Sequence, residues 1–425
     1  MKRYLKQIWY EAVHQPVIAV VTVTGTALAI FLIMAVVMLD SIQTRPFAPE
    51  TRRPLFLHAK FINIGSLDGQ SNSSANISEP LVRRLYDNTE GSAGTTIMTE
   101  TQSGDISAIG APTSVRYFLP TDDRFWQVFD FNFLAGEPYS ANACDSRAQV
   151  TVLTRSLAEF LFGSVEGATG NTVKIKQRPF RVVGVVEDVS PLATTAYAEL
   201  YIPYRSMNYE ETSWDDDGYF GPFRAVILAK DKDSFATIRA DIESRKRSFD
   251  AELHGKDMQL LDHGSPFDQS VVGTVHGSNT DPDDSDSTIR IFTYIILLLI
   301  PAINLSSLTQ GRLRSRIAEI GVRRSFGATR ASVIFDIIVE NFVITIAGAL
   351  IGLLLTVIFG LFFGDAIFAG LKVQRSVNIS IGMILDWKFF AVATGVAFIL
   401  NLLSSGIPAW RASRVDPVAA LSGKI

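Results

Sequence analysis

Four long apolar runs stand out from a chain that otherwise mixes polar and apolar residues as a folded water-exposed domain does. Val17 to Leu39 is 23 residues without a charge. Crossing a ~30 Å hydrocarbon core takes about 20 apolar residues in a helix. A cleaved signal peptide has a shorter apolar region of about 7–15 residues, and no small-x-small site follows Leu39. The second run, Ile289 to Leu308, holds Pro301 and Asn304; the carbonyl freed by a membrane proline can be satisfied by neighbouring Ser, Thr or Asn. The third, Phe342 to Phe363, follows a mixed stretch containing Asp336 and Glu340. The fourth, Phe389 to Pro408, is flanked by Trp387 and Trp410, and tryptophan favours the headgroup level. The pattern predicts four transmembrane α-helices over 17–39, 289–310, 331–363 and 387–409, with a short loop at 364–386.

Between the first two runs, residues 40–288 predict a large α+β domain inserted between helices 1 and 2. Leu55–Ile62, Ser114–Leu119, Val150–Leu153 and Ala225–Ala229 read as strands. Thr172–Ile175 and Phe180–Val186 read as a hairpin around Gln177-Arg178-Pro179. Glu79–Asn88, begun at Ser78 with Pro80 in its first turn, reads as a helix. So do Ser156–Phe162, closed by Gly163, and Ser234–Phe249. Ser66–Ala75 and the acidic Gly264–Ser287 read as flexible stretches, the second as a linker into the membrane. Residues 1–16 predict an amphipathic helix lying on the membrane surface, with Leu5, Ile8, Trp9, Ala12 and Val13 on one face and Lys6, Gln7, Tyr10, Glu11 and His14 on the other.

Charge gives this arrangement a direction. Apolar residues make up 47% of the chain and charged residues 19%, and the net charge of −4 conceals a split. Residues 40–288 carry 36 Asp/Glu against 23 Lys/Arg, so the remainder is basic. Short loops rich in Lys and Arg stay in the cytoplasm. Lys2, Arg3 and Lys6, the arginines of 311–330, and Arg411, Arg414 and Lys424 put both termini and the 311–330 segment inside. Residues 40–288 are then periplasmic, in a multi-pass protein of the inner (cytoplasmic) membrane, in contact with lipid. The basic residues follow membrane topology rather than a nucleic-acid footprint, so no nucleic-acid partner is expected.

Catalytic patterns are missing. Cys144 is the lone cysteine; it can form no internal disulfide and has no nearby His, so it reads as a core or surface residue. Counted from Asp281, the acidic cluster of the linker has Asp286 where an EF-hand needs Gly and Phe292 where it needs Glu. Trp214-Asp215-Asp216-Asp217-Gly218 reads as an acidic loop. Five histidines form no His-x-x-x-His pair, so no metal site is expected. No Gly-x-Ser-x-Gly elbow or Gly-x-x-x-x-Gly-Lys-Ser/Thr phosphate loop occurs. The chain is expected to hold no cofactor and to catalyse nothing itself.

The informative stretch is Arg312 to Arg330. A topology signal accounts for its arginines but not for Glu319, Ile320, Val322 and Phe326 among them. Ile320 and Phe326 could anchor a short helix in a partner's groove, with Arg316, Arg323 and Arg324 offering forked donors to carboxylates. Gly327 would end that helix and Thr329 could cap the next.

Glu319-Ile320-Gly321-Val322-Arg323-Arg324-Ser325-Phe326-Gly327-Ala328-Thr329-Arg330 resembles the signature of FtsX-like/MacB-type ABC transporter permeases. Ile337-Ile338-Val339-Glu340-Asn341 resembles the apolar-Glu segment that opens the family's third membrane helix. Gly406 to Leu421, with Pro408, Arg411, Asp416 and Pro417, resembles its closing motif, in which a helix leaves the membrane and Asp416-Pro417 starts a short cytoplasmic one. Phe125–Gly136, Ala158–Gly163 and Phe180–Asp188 are similar to its periplasmic core domain.

The resemblance implies a permease subunit in the separate-subunit arrangement, since the MacB protein proper carries a fused ATPase. Its partners would be a separate ABC ATPase subunit holding ATP and Mg, a second permease subunit, identical or related, and a periplasmic adaptor or cargo protein. ATP-driven motion would be passed mechanically to the periplasmic domain for export or extraction of a peptide, lipoprotein or small toxic molecule. The alternative is an FtsX-like signalling scaffold that regulates a periplasmic enzyme or sensor without transport. Glu340 and Asp336, near the start of the third helix, and Asn304 in the second would face protein or water rather than lipid.

Overall fold

The computed structural model describes residues 46–261, 266–268 and 326–370, with Phe292 and parts of 16–35 and 390–402. The chain divides into two compact units, Ile42–Ser287 and the remainder.

The Ile42–Ser287 unit is α+β, as its pattern predicts. Six strands close on themselves: β5 (Gln102–Ala108), β6 (Ser114–Thr121), β8 (Val150–Thr154), β9 (Thr172–Ile175), β10 (Arg178–Val186) and β11 (Leu200–Pro203). In this ring β11 pairs with both β8 and β6, and the other members link them in the order β8-β10-β9-β5-β6. Their inward residues, including Ile106, Phe118, Leu153, Val173, Phe180, Val185 and Ile202, share one buried core with Leu157, Ala158 and Leu161 of the helix Arg155–Phe162. Closure removes free edges. Beyond β6 the sheet continues through β4 (Ser92–Thr99), β12 (Phe223–Ala229), β1 (Phe56–Ala59) and β14 (Phe267–Asp268), while β7 (Phe133–Gly136) pairs with β10. The helices α1 (Glu79–Tyr86) and α5 (Ser234–His254) bury Leu81, Leu85, Ile238, Ile242 and Phe249 in a core shared with this extension.

Several elements differ from their predicted form. Leu55–Ile62 is not one strand: a 3-10 turn, Arg53–Leu55, precedes β1, and β2 (Ile62–Ser66) belongs to a separate sheet with β3 (Asn72–Ala75) and β13 (Met258–Leu260). Part of the polar stretch 66–75 is thus a strand, because backbone pairing with Ile62–Gly65 suffices where side chains stay outside. The 172–186 hairpin turns at Lys176 and Gln177, both at positive φ, and Pro179 already lies in β10. That geometry matches a two-residue turn suited to strand twist. Within the predicted linker, the Pro266 carbonyl accepts from Arg239 Nε and Phe267–Asp268 pairs with β1; the rest of it is outside the described residues. The Trp214–Gly218 loop is shaped by Asp215, whose carboxylate accepts from Ser213 Oγ, Tyr219 N and Phe220 N.

Cys144 is buried, so it cannot serve as a surface probe of topology. Burial, with Asp123 and Asp122 nearby, pushes its thiol up to about 12, leaving roughly one thiol in 10⁵ as thiolate at pH 7. A membrane-impermeant maleimide is expected to leave the folded protein unlabelled at pH 7 and to react fully in denaturant. Rapid labelling of native protein would show that the Ala141–Asp145 turn opens. Orientation is better read from Lys424→Cys, which should stay unlabelled in intact spheroplasts.

In the other unit, one described helix is long and apolar enough to cross a membrane, Phe342–Gly360 within α6 (Arg330–Gly370). Its 41 residues span about 60 Å at 1.5 Å per residue, and it continues past the predicted boundary at Phe363. No proline interrupts Gly364–Gly370, and Ala366, Ile367, Phe368 and Ala369 extend the apolar run. A shorter apolar helical stretch, Val23–Leu32, lies in the first run. The predicted 289–310 span falls outside the described residues except for Phe292, and the 387–409 span is helical at the residues described.

Candidate force-transmission site

Two constellations stand out, one in each unit. The first is the start and inner face of α6. Gly327 sits at φ 95°, a left-handed backbone that glycine adopts without strain. Phe326 beside it is 88% exposed. Two residues on, Thr329 Oγ1 accepts from Ser332 N at 3.2 Å, satisfying one of the orphan donors of a helix start. The cap agrees with the sequence; the helix that Gly327 would end lies outside the described residues. Asp336 and Glu340 lie in the first turns of α6, where only their backbone is described.

Further along α6, side chains sort into two rows. Phe342, Ile346, Leu350, Leu354, Ile358 and Phe362 form an exposed row at spacing four, while Thr345, Gly348, Ala349, Gly352 and Thr356 are buried. The buried row meets the first apolar run. A Cβ at Gly348 would lie 2.6 Å from Thr26 Cγ2, and one at Gly352 would lie 2.8 Å from the Ala27 carbonyl oxygen. Thr356 Oγ1 lies 3.9 Å from Met34 S and donates to Gly352 O, and Phe31 meets Phe359 edge-on at 5.4 Å. Positions 26, 27, 30 and 34 therefore pair with 348, 352 and 356 in rising order, so the two helices run parallel. Parallel packing puts the end near residue 16 and the end at Arg330 on the same side of the helix pair. Glycines four apart in an apolar helix let two backbones approach closely.

The second constellation is where the chain enters the Ile42–Ser287 unit. Glu50 and Arg53 are fully buried and paired. Glu50 Oε1 accepts from Thr195 N and Ala196 N, both at 2.8 Å. Arg53 donates to Leu192 O and lies 5.4 Å from the Phe47 ring centre. Arg52 donates to Gln127 O, Val128 O and the Asp130 carboxylate, which also takes the Thr51 hydroxyl. Arg224, also buried, donates to Thr195 O at 3.2 Å; burial draws its guanidinium below the usual arginine range. β14, the last described strand of this unit, pairs with β1, Asp268 opposite Leu57 and Phe267 opposite His58. The first and last described strands of the large sheet are thus hydrogen-bonded neighbours.

Of the residues singled out in the sequence, Phe326 and Gly327 stand at the foot of α6. Arg316, Glu319, Ile320, Gly321, Arg323, Arg324, Asn304, Pro408, Arg411, Asp416 and Pro417 lie outside the described residues. Sequence reasoning passed over Gly348 and Gly352, although Gly-x-x-x-Gly inside an apolar run is a readable packing signal. It also passed over Glu50, Arg53 and Arg224, which carry no local pattern. Among the described residues no group of three or more His, Cys, Asp or Glu could hold a metal ion.

Comparison with known proteins places these features in context. The MacB-like periplasmic core domain family matches residues 19–245, and the FtsX-like permease C-terminal family matches 291–417. The ABC transporter permease YknZ of Bacillus subtilis is 22% identical over 300 residues, 71% of this chain and 68% of YknZ. The macrolide export ATP-binding/permease protein MacB of Bartonella quintana is 24% identical over 332 residues, 75% of this chain and 46% of that protein. The pyoverdine export ATP-binding/permease protein PvdT of Pseudomonas syringae pv. syringae is 23% identical over 310 residues, 72% and 43% respectively. The chain thus spans less than half the length of the MacB and PvdT relatives. Among solved structures, the periplasmic region of MacB from Actinobacillus actinomycetemcomitans aligns at 23% identity and a TM-score of 0.35, covering 50% of this chain and 90% of that one.

Proposed function

Because the chain belongs to the MacB/FtsX-type family of ABC transporter permeases, we propose that it is the membrane subunit of a complex whose ATP is hydrolysed on a separate ATPase chain. ATP and magnesium would bind there, two permease subunits would face each other, and four helices per subunit would cross the membrane. Closure of the ATPase pair would press on the 311–330 segment. The motion would pass along α6 and the helix packed on its glycine row to the periplasmic unit, and there act on a peptide, lipoprotein or small toxic molecule.

One observation carries this reading. The turn at Phe326–Gly327 opens directly into a capped 41-residue helix, and that helix is packed parallel and backbone-close to the run that leads into the periplasmic unit. A long helix held in this way is a rigid element able to carry displacement between sites. The chain lacks the phosphate loop needed to cradle β- and γ-phosphates, which supports placing hydrolysis on a partner.

The test is purification of the chain from native membrane with identification of every associated polypeptide, followed by ATPase assays with and without them. An ABC ATPase should co-purify, and turnover should track its presence. Robust turnover by the permease chain alone would defeat the reading.

A further inference from the structure

Between β10 and β11 the chain runs through Glu187–Glu199 without a helix or strand, yet Leu192, Ala193, Thr195, Ala196 and Ala198 are buried. Backbone polar groups in such a loop need partners. The residues around it supply them. Glu50 takes the N–H groups of Thr195 and Ala196. Arg53 fills the Leu192 carbonyl, Arg224 the Thr195 carbonyl, Tyr201 those of Ala196 and Ala198, and Thr101 that of Tyr197.

Two of these ties, Glu50 and Arg53, come from residues 46–55, the described stretch that precedes β1. Glu50 is placed to hold both sides. One of its oxygens accepts two loop amides and the other accepts Arg53 Nε. No water-exposed atom is involved, since Glu50 and Arg53 are 0% and 1% exposed. Charge-assisted bonds of this kind are the stronger ones, and cutting one in a buried site leaves donors unmet. The loop leads at Leu200 into β11, the strand that closes the ring by pairing with β6 and β8.

We infer that Glu50 is a positioning residue that locks the entry segment 46–55 to the 190–198 loop, so that displacement of the first membrane helix reaches the closing strand of the periplasmic ring. The inference rests on the proposed mechanical function and adds the route by which motion enters the periplasmic unit. An asparagine or glutamine at this position would break the lock without removing the side chain. Its amide must point a donor at either Arg53 or the two loop N–H groups.

The experiment uses the complete permease–ATPase complex in nanodiscs. Fluorophore pairs join Ala331→Cys to Pro54→Cys on the entry segment, or to Thr194→Cys on the loop; Ala331, Pro54 and Thr194 are exposed. Energy transfer is read with and without ATP plus vanadate. In the parent, both pairs should shift together. In Glu50→Gln the Pro54 pair should keep its shift, while the Thr194 pair should lose more than half of its own. If Glu50→Gln fails to assemble, Arg224→Met decides: it cuts the tie of the loop to β12 and leaves Glu50 and Arg53 in place, so the Thr194 pair should keep its parental shift. Equal shifts for both pairs in Glu50→Gln, or loss of more than half of the Thr194 shift in Arg224→Met, would overturn the lock alone. A parent in which neither pair responds to nucleotide would overturn the mechanical reading, and the lock with it.

Discussion

Gly352→Val is expected to separate α6 from the first membrane helix and abolish assembly of a working complex. The position leaves no room for compromise. Even a Cβ there would stand 2.8 Å from the Ala27 carbonyl oxygen and 3.1 Å from Ile30 Cβ. A backbone oxygen cannot rotate aside, so a whole helix must move. Overpacking of this kind costs about 1–3 kcal/mol, and the loss of backbone-close packing comes on top, since dispersion is what holds membrane helices together. Gly348→Ala should be milder. It adds one carbon instead of three, although that carbon would stand 2.6 Å from Thr26 Cγ2 and 2.8 Å from Thr26 Cβ, so the helices must part slightly there too. The readout is a crosslink between Met34→Cys and Thr356→Cys, whose parent atoms lie 3.9 Å apart. High yield in the parent, partial yield with Gly348→Ala and near-zero yield with Gly352→Val is the expected series. Full yield with Gly352→Val would show that the parallel pair is not held at this glycine.

The second large effect is expected at the foot of α6. Changing Ile320 and Phe326 to serine, with every arginine kept, should leave membrane insertion intact because Lys and Arg set orientation. Binding of the ATPase subunit should weaken about 30-fold or more, since apolar anchors at small interfaces are often worth 2 kcal/mol or above. Phe326 suits this role: it is 88% exposed, so its loss leaves no cavity among the described residues. A companion variant, Arg323→Lys with Arg324→Lys, keeps charge but removes the fork. It should separate ATP turnover from downstream work more than it disturbs insertion. Pull-down of the ATPase from membranes and spheroplast topology mapping read the two effects apart. Normal ATPase binding and normal function in all these variants would reduce the segment to a topology signal.

The elements that could be read from the chain were those whose signal is local. Gly163 at positive φ closes its helix, Pro80 opens α1, and Thr329 caps the start of α6, as their chemistry demands. What escaped was non-local. Ser92–Thr99 and Gln102–Ala108 are rich in Ser, Thr and Gly and show no clean alternation, but each is recruited by long ladders to β12 and to β6. The ring closure between β11 and β6 joins residues some 80 apart. Glu50 likewise looks like any acidic residue in a solvated domain; its burial follows from a loop 145 residues away. At the site, the family signature pointed to the cytoplasmic segment, whereas the glycine row that steadies α6 needed only a search for Gly-x-x-x-Gly within an apolar run.

The pairing of β1 with β14 has a consequence for how such proteins diversify. Strands that pair antiparallel hold their Cα atoms about 4.5–5.5 Å apart, so Leu57 and Asp268 are separated by little more than one residue's span. Everything between them is a cassette whose two ends meet. A module of that kind can be enlarged, trimmed or exchanged for another without moving the two points at which the chain enters and leaves it, which is the condition under which domain insertion is tolerated. A chimera that swaps residues 57–268 at this seam is the natural unit for exchanging the module while the sequence on either side stays as it is.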